Sequence, residues 1–432
     1  MTQGRHYSID INVTIEDTMH QAFDHMVLSM QTMMNQVAKG DHHRRENEQL
    51  RQANEKLREE LRRALAVSAP MAVPTPMPPA APQQQQLLRD VERTPPPAAA
   101  RPAPAATPSS MGGFTFEKSI HIHETPVHSV AFDHNRVDKQ MLATASWDSS
   151  VKLYSLADGG SVVKTLGGPH APPDSKMGGL YSVAFAKTAD HILGCTSCDA
   201  TVYLWDHQKG TMLCQLKGHS DEVNGLDFHA QQQVMCTASD DCKVIIWDFQ
   251  EGITLRTLDK HTKAVYGCKF LGMENQYLVA TCCFDQKTRI FDMRDKQVVG
   301  LLQLHTDDVI GVDYSVQKQL LATGSDDGLI GIWDARSWKL QQMINTKEDG
   351  RDGNEVKRIG FSPDGCMLAA ACSSGKVLVY DVTVSPALQV AVLDGHADCV
   401  FDVSWMRCER TGYDMLVSAS HDHTCRYWRR RF

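Results

Sequence analysis

From residue 113 onward the chain repeats itself, and nothing else in the sequence constrains its fold as tightly. Three units are plainest. Thr237-Ala-Ser-Asp-Asp241 leads to Ile246-Trp247-Asp248, Thr323-Gly-Ser-Asp-Asp327 leads to Ile332-Trp333-Asp334, and Ser418-Ala-Ser-His-Asp422 leads to Tyr427-Trp428. Each follows a histidine step: Gly218-His219, Leu304-His305 or Gly395-His396. Weaker copies run through Thr144, Asp148 and Tyr154; Cys195, Asp199 and Trp205; Thr281, Asp285 and Phe291; and Ala370, Ser374 and Tyr380. The turn positions 148, 199, 241, 285, 327, 374 and 422 lie 42 to 51 residues apart. That period, with four short alternating strands per unit, predicts an all-β, seven-bladed propeller over residues 113–432. The last unit stops after its third strand, at Arg431-Phe432. The run Phe114-Thr115-Phe116 to Ile120 is expected to supply the missing strand, closing the ring and leaving no free edge.

These units resemble the WD-repeat family across roughly residues 113–432. The resemblance implies a hydrogen-bonded set of His, Ser/Thr, Asp and Trp in each blade. Full sets are His219/Thr237/Asp241/Trp247, His305/Thr323/Asp327/Trp333 and His396/Ser418/Asp422/Trp428. The first and fourth blades keep His123 and His261 but have Tyr154 and Phe291 for Trp. The second has Lys176 at the His position, and the sixth has Asp352 and Ser374 for His and Asp. Those two blades are expected to rely on packing and to carry irregular loops. Ser, His and Asp recur in blade after blade, as structural parts do and a single active site does not.

The resemblance also implies a broad top face, built from turns, that holds peptides. Two positions per blade belong to it. One precedes the turn Asp: Trp147, Cys198, Asp240, Phe284, Asp326, Ser373 and His421. The other comes five residues after the His: His128, Tyr181, Asn224, Tyr266, Ile310, Lys357 and Phe401. Candidate contacts for a partner are Trp147, Tyr181, Asp240, Tyr266, Phe284, Asp326, Phe401 and His421. Glu222, Asp308 and Glu355 lie two residues before the second set. Aromatic anchors with a carboxylate rim favour a basic peptide. Separately, the segment ending Trp333-Asp334-Ala-Arg336 resembles the Trp-Asp-x-Arg box of WD-repeat substrate receptors of cullin–RING ubiquitin ligases. There Arg336 would meet an acidic adaptor surface.

Upstream of the repeats the chemistry changes twice. Residues 1–15 read as a flexible N-terminus. Met19, Phe23, Met26, Met30, Met33 and Val37 are spaced 4, 3, 4, 3, 4, and Leu50, Asn54, Leu57, Leu61 and Ala64 continue the alternation after a break at Gly40-Asp41. This heptad seam predicts an α-helical coiled coil over 16–67, forming a parallel homodimer whose register is set by Asn54. Residues 68–112 hold 12 of the 18 prolines and the Gln83–Gln86 run, a composition that predicts a disordered linker.

Charge and cysteines narrow the functions. The whole chain of 432 residues carries a formal net charge of -8. Residues 1–112 are balanced, so the acidity belongs to the repeats. An acidic propeller argues against direct nucleic-acid binding, which needs a positive face. The small basic cluster of Arg426 and Arg429 to Arg431 reads as a solvated final strand. No run reaches the ~18 apolar residues of a membrane helix, so no membrane insertion is expected. The 13 cysteines are odd in number and irregularly spaced, as in a reducing compartment, here cytoplasm or nucleus. Cys195 and Cys198 have no second pair to make a zinc site. No phosphate loop, metal set, cofactor motif or nucleophile elbow appears. The sequence predicts a non-enzymatic scaffold that oligomerises and recruits proteins or peptides, like Groucho-type corepressors, coiled-coil/WD-repeat autophagy proteins or splicing scaffolds. The alternative is a ubiquitin-ligase substrate receptor.

Overall fold

The computed structural model describes residues 113–135, 140–156, 160–168, 177–272, 277–347, 354–408 and 412–431. The expectations for 1–15, 16–67 and 68–112, and those for Lys176 and Asp352, lie outside the described residues.

Among the described residues the regular structure is twenty-eight β-strands, from β1 (Phe114–His121) to β28 (Thr424–Arg431). They form seven four-stranded sheets. Six use four consecutive strands, beginning with β2 (Val127–Phe132), β6 (Leu180–Phe185), β10 (Val223–Phe228), β14 (Val265–Leu271), β18 (Val309–Ser315) and β22 (Val356–Phe361). The seventh begins with β26 (Val400–Cys408), passes through β27 (Tyr413–Ser420) and β28, and ends on β1.

Burial follows from this radial stacking. A second strand such as Val234–Ser239 is covered on both faces by neighbouring blades and is buried throughout. Its sequence is accordingly a run of small and apolar residues rather than an alternation. A fourth strand such as Lys339–Asn345 faces solvent and is mostly exposed. Seven apolar clusters fill the seven junctions between blades. Trp205, Trp247, Leu142 and Leu193 are among their fully buried members. Each such aliphatic side chain contributes roughly 1.5–3 kcal/mol by leaving water.

The ring closes as the sequence predicts. Phe114 pairs with Arg430 and Ile120 with Cys425 in an antiparallel register, with a bulge between Phe116 and Lys118. Phe114 is buried in the junction between the sixth and seventh blades.

Each blade also makes the same tight turn after its second strand. The residue after the turn Asp, or after Ser374 in the sixth blade, has positive φ: Ser149, Ala200, Cys242, Gln286, Gly328, Gly375 and His423. Glycine occupies only two of those seven positions. The other five accept a conformation that costs a side chain roughly 1–2 kcal/mol.

Candidate functional site

The histidine sets are built first, because they fix the turns that form the top face. In the third blade the Trp247 indole N–H donates to Thr237 Oγ1 at 2.8 Å. Thr237 Oγ1 lies 2.8 Å from His219 Nε2, and His219 Nδ1 lies 2.9 Å from Asp241 Oδ2. The chain runs consistently if the hydroxyl donates to Nε2 and Nδ1–H donates to the carboxylate. The fifth blade repeats it with Trp333, Thr323, His305 and Asp327. In the seventh, His396 lies 2.7 Å from Ser418 Oγ and 2.8 Å from Asp422, with the Trp428 ring edge-on. The first and fourth blades keep the His–Thr and His–Asp contacts through His123 and His261. Burial disfavours the charged form of Asp148, Asp241, Asp285, Asp327 and Asp422, but the His hydrogen bond, the nearby His charge and further hydrogen bonds within the turn, with Arg289 at Asp285, together outweigh it. Their carboxyls are held below the usual range.

The two blades that lack the histidine solve the turn differently. In the second, the Tyr203 hydroxyl donates to Asp199 at 2.6 Å, and the Gly178 N–H donates to the same carboxylate. In the sixth, Ser374 donates to Asn354 Oδ1 at 2.8 Å, and Asn354 Nδ2 donates to the Thr346 carbonyl. The residues that take over, Tyr203 and Asn354, are absent from the sequence expectation. The signal available was a Tyr four residues after Asp199 and an Asn ahead of β22.

Both top-face position sets are created by one device. In every innermost strand the register slips after the first residue: between Val127 and Ser129, Leu180 and Ser182, Val223 and Gly225, Val265 and Gly267, Val309 and Gly311, Val356 and Arg358, Val400 and Asp402. The extra residue is His128, Tyr181, Asn224, Tyr266, Ile310, Lys357 or Phe401. A β-bulge re-aims the side chain of the residue it inserts. The partner position is tied alongside by a backbone bond. The N–H groups of Trp147, Cys198, Asp240, Phe284, Asp326, Ser373 and His421 donate to Pro126, Gly179, Glu222, Ala264, Asp308, Glu355 and Cys399, at 2.9–3.3 Å.

The candidate residues then divide by chemistry. On the seventh, first and second blades the rings of Phe401, His421, His128, Trp147 and Tyr181 form one cluster. Phe401 stacks on His421 at 4.0 Å, and His128 lies 4.7 Å from Phe401, 5.6 Å from Trp147 and 5.4 Å from Tyr181. Trp147 caps it with 47% of its surface exposed, while His128 at its centre is buried. Burial, with His421 and Arg358 nearby, pushes the His128 imidazole down to about 3, so the cluster carries no charge there at neutral pH. Tyr266 and Phe284 make a smaller stack at 5.8 Å. These rings, Trp147 excepted, are half-buried or buried rather than projecting.

The third, fifth and sixth blades carry the acids. Asp240 accepts from Asn224 at 2.6 Å, and the Tyr181 hydroxyl reaches Glu222 at 2.5 Å. Lys357 Nζ lies between Asp326, at 2.9 Å, and Glu355, at 2.6 Å. Burial raises the Asp240 and Asp308 carboxyls. It lifts Asp326 to about 6 despite the opposing pull of Lys357.

Away from this face, Asp334 of the expected adaptor box accepts the N–H groups of Arg336 and Ser337. Trp333 is buried as a tetrad member, and Arg336 is exposed. Sequence reasoning missed a second copy, Phe291-Asp292-Met-Arg294, in the preceding blade. There the guanidinium grips its own Asp292 and lies 4.5 Å over the Tyr277 ring. One group of metal-type donors gathers at His261, Cys283 and Asp285, within 4.8 Å of one another. It does not fit a metal, because the Arg289 guanidinium already sits 2.6 Å from Asp285 and 2.7 Å from His261. Among the described residues no helix is long and apolar enough to cross a membrane.

Comparison with known proteins gives two family matches. The WD domain, G-beta repeat, matches residues 114–155, 161–206, 210–248 and 252–292. The Nucleolar protein 10-like, N-terminal domain, a β-propeller, matches residues 299–431. Similar curated proteins include Denticleless protein homolog B of Xenopus laevis, 24% identical over 302 residues, covering 67% of this chain and 39% of that protein. Homolog A of the same species is 24% identical over 260 residues, covering 58% and 34%. Autophagy-related protein 16 of Arabidopsis thaliana is 22% identical over 293 residues, covering 67% and 54%. The chain thus spans from about a third to about half of the length of these relatives.

Proposed function

Since the chain belongs to the WD-repeat β-propeller family, we propose that it is a non-enzymatic scaffold that recruits a partner peptide on the top face of its ring. The observation that carries this reading is the division of that face. An uncharged aromatic platform, capped by exposed Trp147, adjoins an arc of carboxylates at Glu222, Asp240, Asp308 and Asp326. The fitting ligand is a segment with a bulky apolar residue beside Lys or Arg. The ring side chains supply contact area and the carboxylates supply orientation. Self-association through residues 16–67 would join two rings and raise avidity for a multivalent partner without new contacts. The setting is cytoplasmic or nuclear, in an assembly of the autophagy, corepressor or splicing type.

Selection from a random peptide library on the full chain, followed by fluorescence polarisation, tests the site. Trp147→Ala is expected to cost about 2 kcal/mol of binding, as an interface anchor does. Combining it with Tyr266→Ala and Phe284→Ala should abolish binding while the melting temperature holds. Unchanged affinity in the triple variant refutes the site. Light scattering on residues 16–67 tests the dimer; a monomer at micromolar concentration refutes it.

A second reading, adaptor docking through Arg336, is favoured by one observation. The Arg336 guanidinium makes no hydrogen bond or ion pair among the described residues, whereas Arg294 is already engaged. Proximity labelling with wild type and Arg336→Ala separates the two. Selective loss of cullin adaptors supports the second reading.

A further inference from the structure

The seven inner strands enclose a cavity of about 540 Å³, a volume typical of small-molecule sites. It contains Arg358 and Asp402, passes Lys269 and Asp313, and reaches Gln317 and Pro363 in the turns after β18 and β22. Those turns lie at the far ends of the inner strands from Trp147, which is tied to Pro126 just ahead of β2. The cavity therefore also reaches the face opposite the aromatic platform, while Arg358 within it lies close enough to His128 and Tyr266 of the platform to act on them electrostatically.

Its charged lining consists of Asp227, Asp313 and Asp402 with Lys187, Lys269 and Arg358. The three aspartates are engaged in holding the ring together. Asp227 accepts the N–H of Phe270 at 3.0 Å and Asp313 that of Phe361 at 2.8 Å, each from the next blade. Asp402 accepts the Val130 N–H at 3.0 Å, the Ser129 hydroxyl at 2.7 Å and its neighbour Val403 N–H at 2.8 Å. Two of the cations are matched as well: Lys187 lies 3.0 Å from Asp227 and Lys269 3.0 Å from Asp313.

Arg358 has no equivalent match. Its one ion pair is from Nε to Asp402 Oδ1 at 3.4 Å, longer than a normal N–H···O bond. Both oxygens of Asp402 already accept from other donors. The two terminal nitrogens of Arg358 make no hydrogen bond among the described residues. The residue directly after the bulge on the other inner strands is Ser129, Ser182, Gly225, Gly267, Gly311 or Asp402. Arg358 alone places a long cation there. A guanidinium has five donors and stays ionised, and the Arg358 side chain keeps 16% of its surface exposed, so its terminal donors are accessible to a group entering the channel.

We propose that the channel is a receptor for a small oxyanion, a carboxylate or phosphate group, gripped by the fork of Arg358. Planar guanidinium matches two oxygens of such a group in a bidentate pair. Lys269 and Lys187 offset the charge of Asp313 and Asp227 along the same wall, which leaves the grip on the anion to Arg358. Selection between the two anions follows from what is attached to them and how it fills the remaining cavity.

Isothermal titration calorimetry on the full chain, at constant ionic strength against chloride, tests this with inorganic phosphate and malonate as probes. Saturable binding of either probe is expected, weakened about tenfold or more by Arg358→Gln. Arg358→Lys, which keeps the charge and loses the fork, should fall between. Trp147→Ala should bind as wild type does, which separates this site from the top face. Phosphate alone would identify a phosphorylated ligand, and malonate an acidic side chain or metabolite; both support the proposal. Absence of saturation above the chloride control in wild type overturns it. Equal binding by wild type and Arg358→Gln overturns it too. If Arg358→Gln fails to fold by circular dichroism, the Arg358→Lys comparison decides, and binding equal to wild type overturns it.

Discussion

Phe114 lies with its ring 6.0 Å from that of Trp405, although the two belong to opposite ends of the repeat array. Phe114 is on β1, the outermost strand of the seventh blade, and Trp405 is on β26, the innermost. The closing strand is therefore fastened by side-chain burial as well as by its ladder. Phe114→Ala is expected to destabilise the ring by about 3–5 kcal/mol, the range for deleting a buried aromatic. Phe116, which is 42% exposed, is the control: its alanine variant should cost under about 1 kcal/mol. Urea unfolding curves for both variants provide the comparison, and equal losses would contradict a closure driven by Phe114.

The histidine sets predict where acid attacks the fold. Asp148, Asp241, Asp327 and Asp422 are held below their ordinary value because the histidine hydrogen bond and charge, added to hydrogen bonds from the turn, together overcome burial. Asp364 behaves likewise: Ser362, the Cys366 N–H and Arg407 overcome burial and hold it at about 2. A depressed carboxyl stabilises the fold above its unfolded pKa of ~3.9, and that contribution is lost as pH falls through the folded value. Stability should thus be flat from pH 7 to about 5 on account of these groups and drop below about 4. Asp364→Asn should flatten the curve between about pH 4 and 2 relative to wild type, as read by denaturant midpoints.

His219→Ala tests the same network directly. It leaves Thr237 and Asp241 with lost partners in a buried turn, at an expected cost of about 2–3 kcal/mol. Hydrogen exchange should show the loss concentrated in the third blade. A uniform change around the ring would argue against a local role.

Peptide binding should respond to pH through Asp326. Its carboxyl is raised to about 6 by burial, with Lys357 pulling the other way. Above that pH it is an anion available to a basic ligand, and below it is neutral. Affinity for a Lys- or Arg-bearing peptide is therefore expected to fall between pH 7 and 5, and Asp326→Asn should weaken that dependence, leaving the part due to Asp240 and Asp308, whose carboxyls burial also raises. His128, pushed down to about 3, does not titrate in this window. Polarisation titrations at the two pH values check it.

Ala200 adopts φ 63° in the turn of the second blade, where the fifth and sixth blades have Gly328 and Gly375. Ala200→Gly relieves a strain of about 1–2 kcal/mol and adds unfolded-chain entropy of about 0.5–1 kcal/mol. A net gain of about 0.5–1 kcal/mol is expected in thermal or urea unfolding. A loss would mean that the Ala200 methyl is held by contacts outweighing its backbone strain.

The ring was legible because its signal is written seven times. Turn acids at a regular period, and buried second strands such as Met367–Cys372 made wholly of small and apolar residues, both follow from stacking blades. The top-face positions were legible through their offsets from His219 and its equivalents, since one bulge recurs at each. Singular features were harder to see. Tyr203 and Asn354 replace the missing histidines from positions outside the repeat pattern. Lys357 was foreseen as a rim residue, but its place between Asp326 and Glu355 depends on strands from separate blades meeting. Arg358 reads as one more charged residue until its neighbours' hydrogen bonds are known. Periodicity reveals what every blade shares, and specificity resides where one blade differs.

The pairing of β1 with β28 also has a consequence for how the molecule is made. Of the strands in the ring, Phe114–His121 is synthesised first, and its partner Thr424–Arg431 is synthesised last. Six blades can form in order as they leave the ribosome, but the seventh cannot be completed until translation of the repeats is over. Until then β1 waits without its native partner strand. Its Glu117 and Lys118, exposed on the strand, are the kind of charges that keep such a waiting edge from joining the wrong partner.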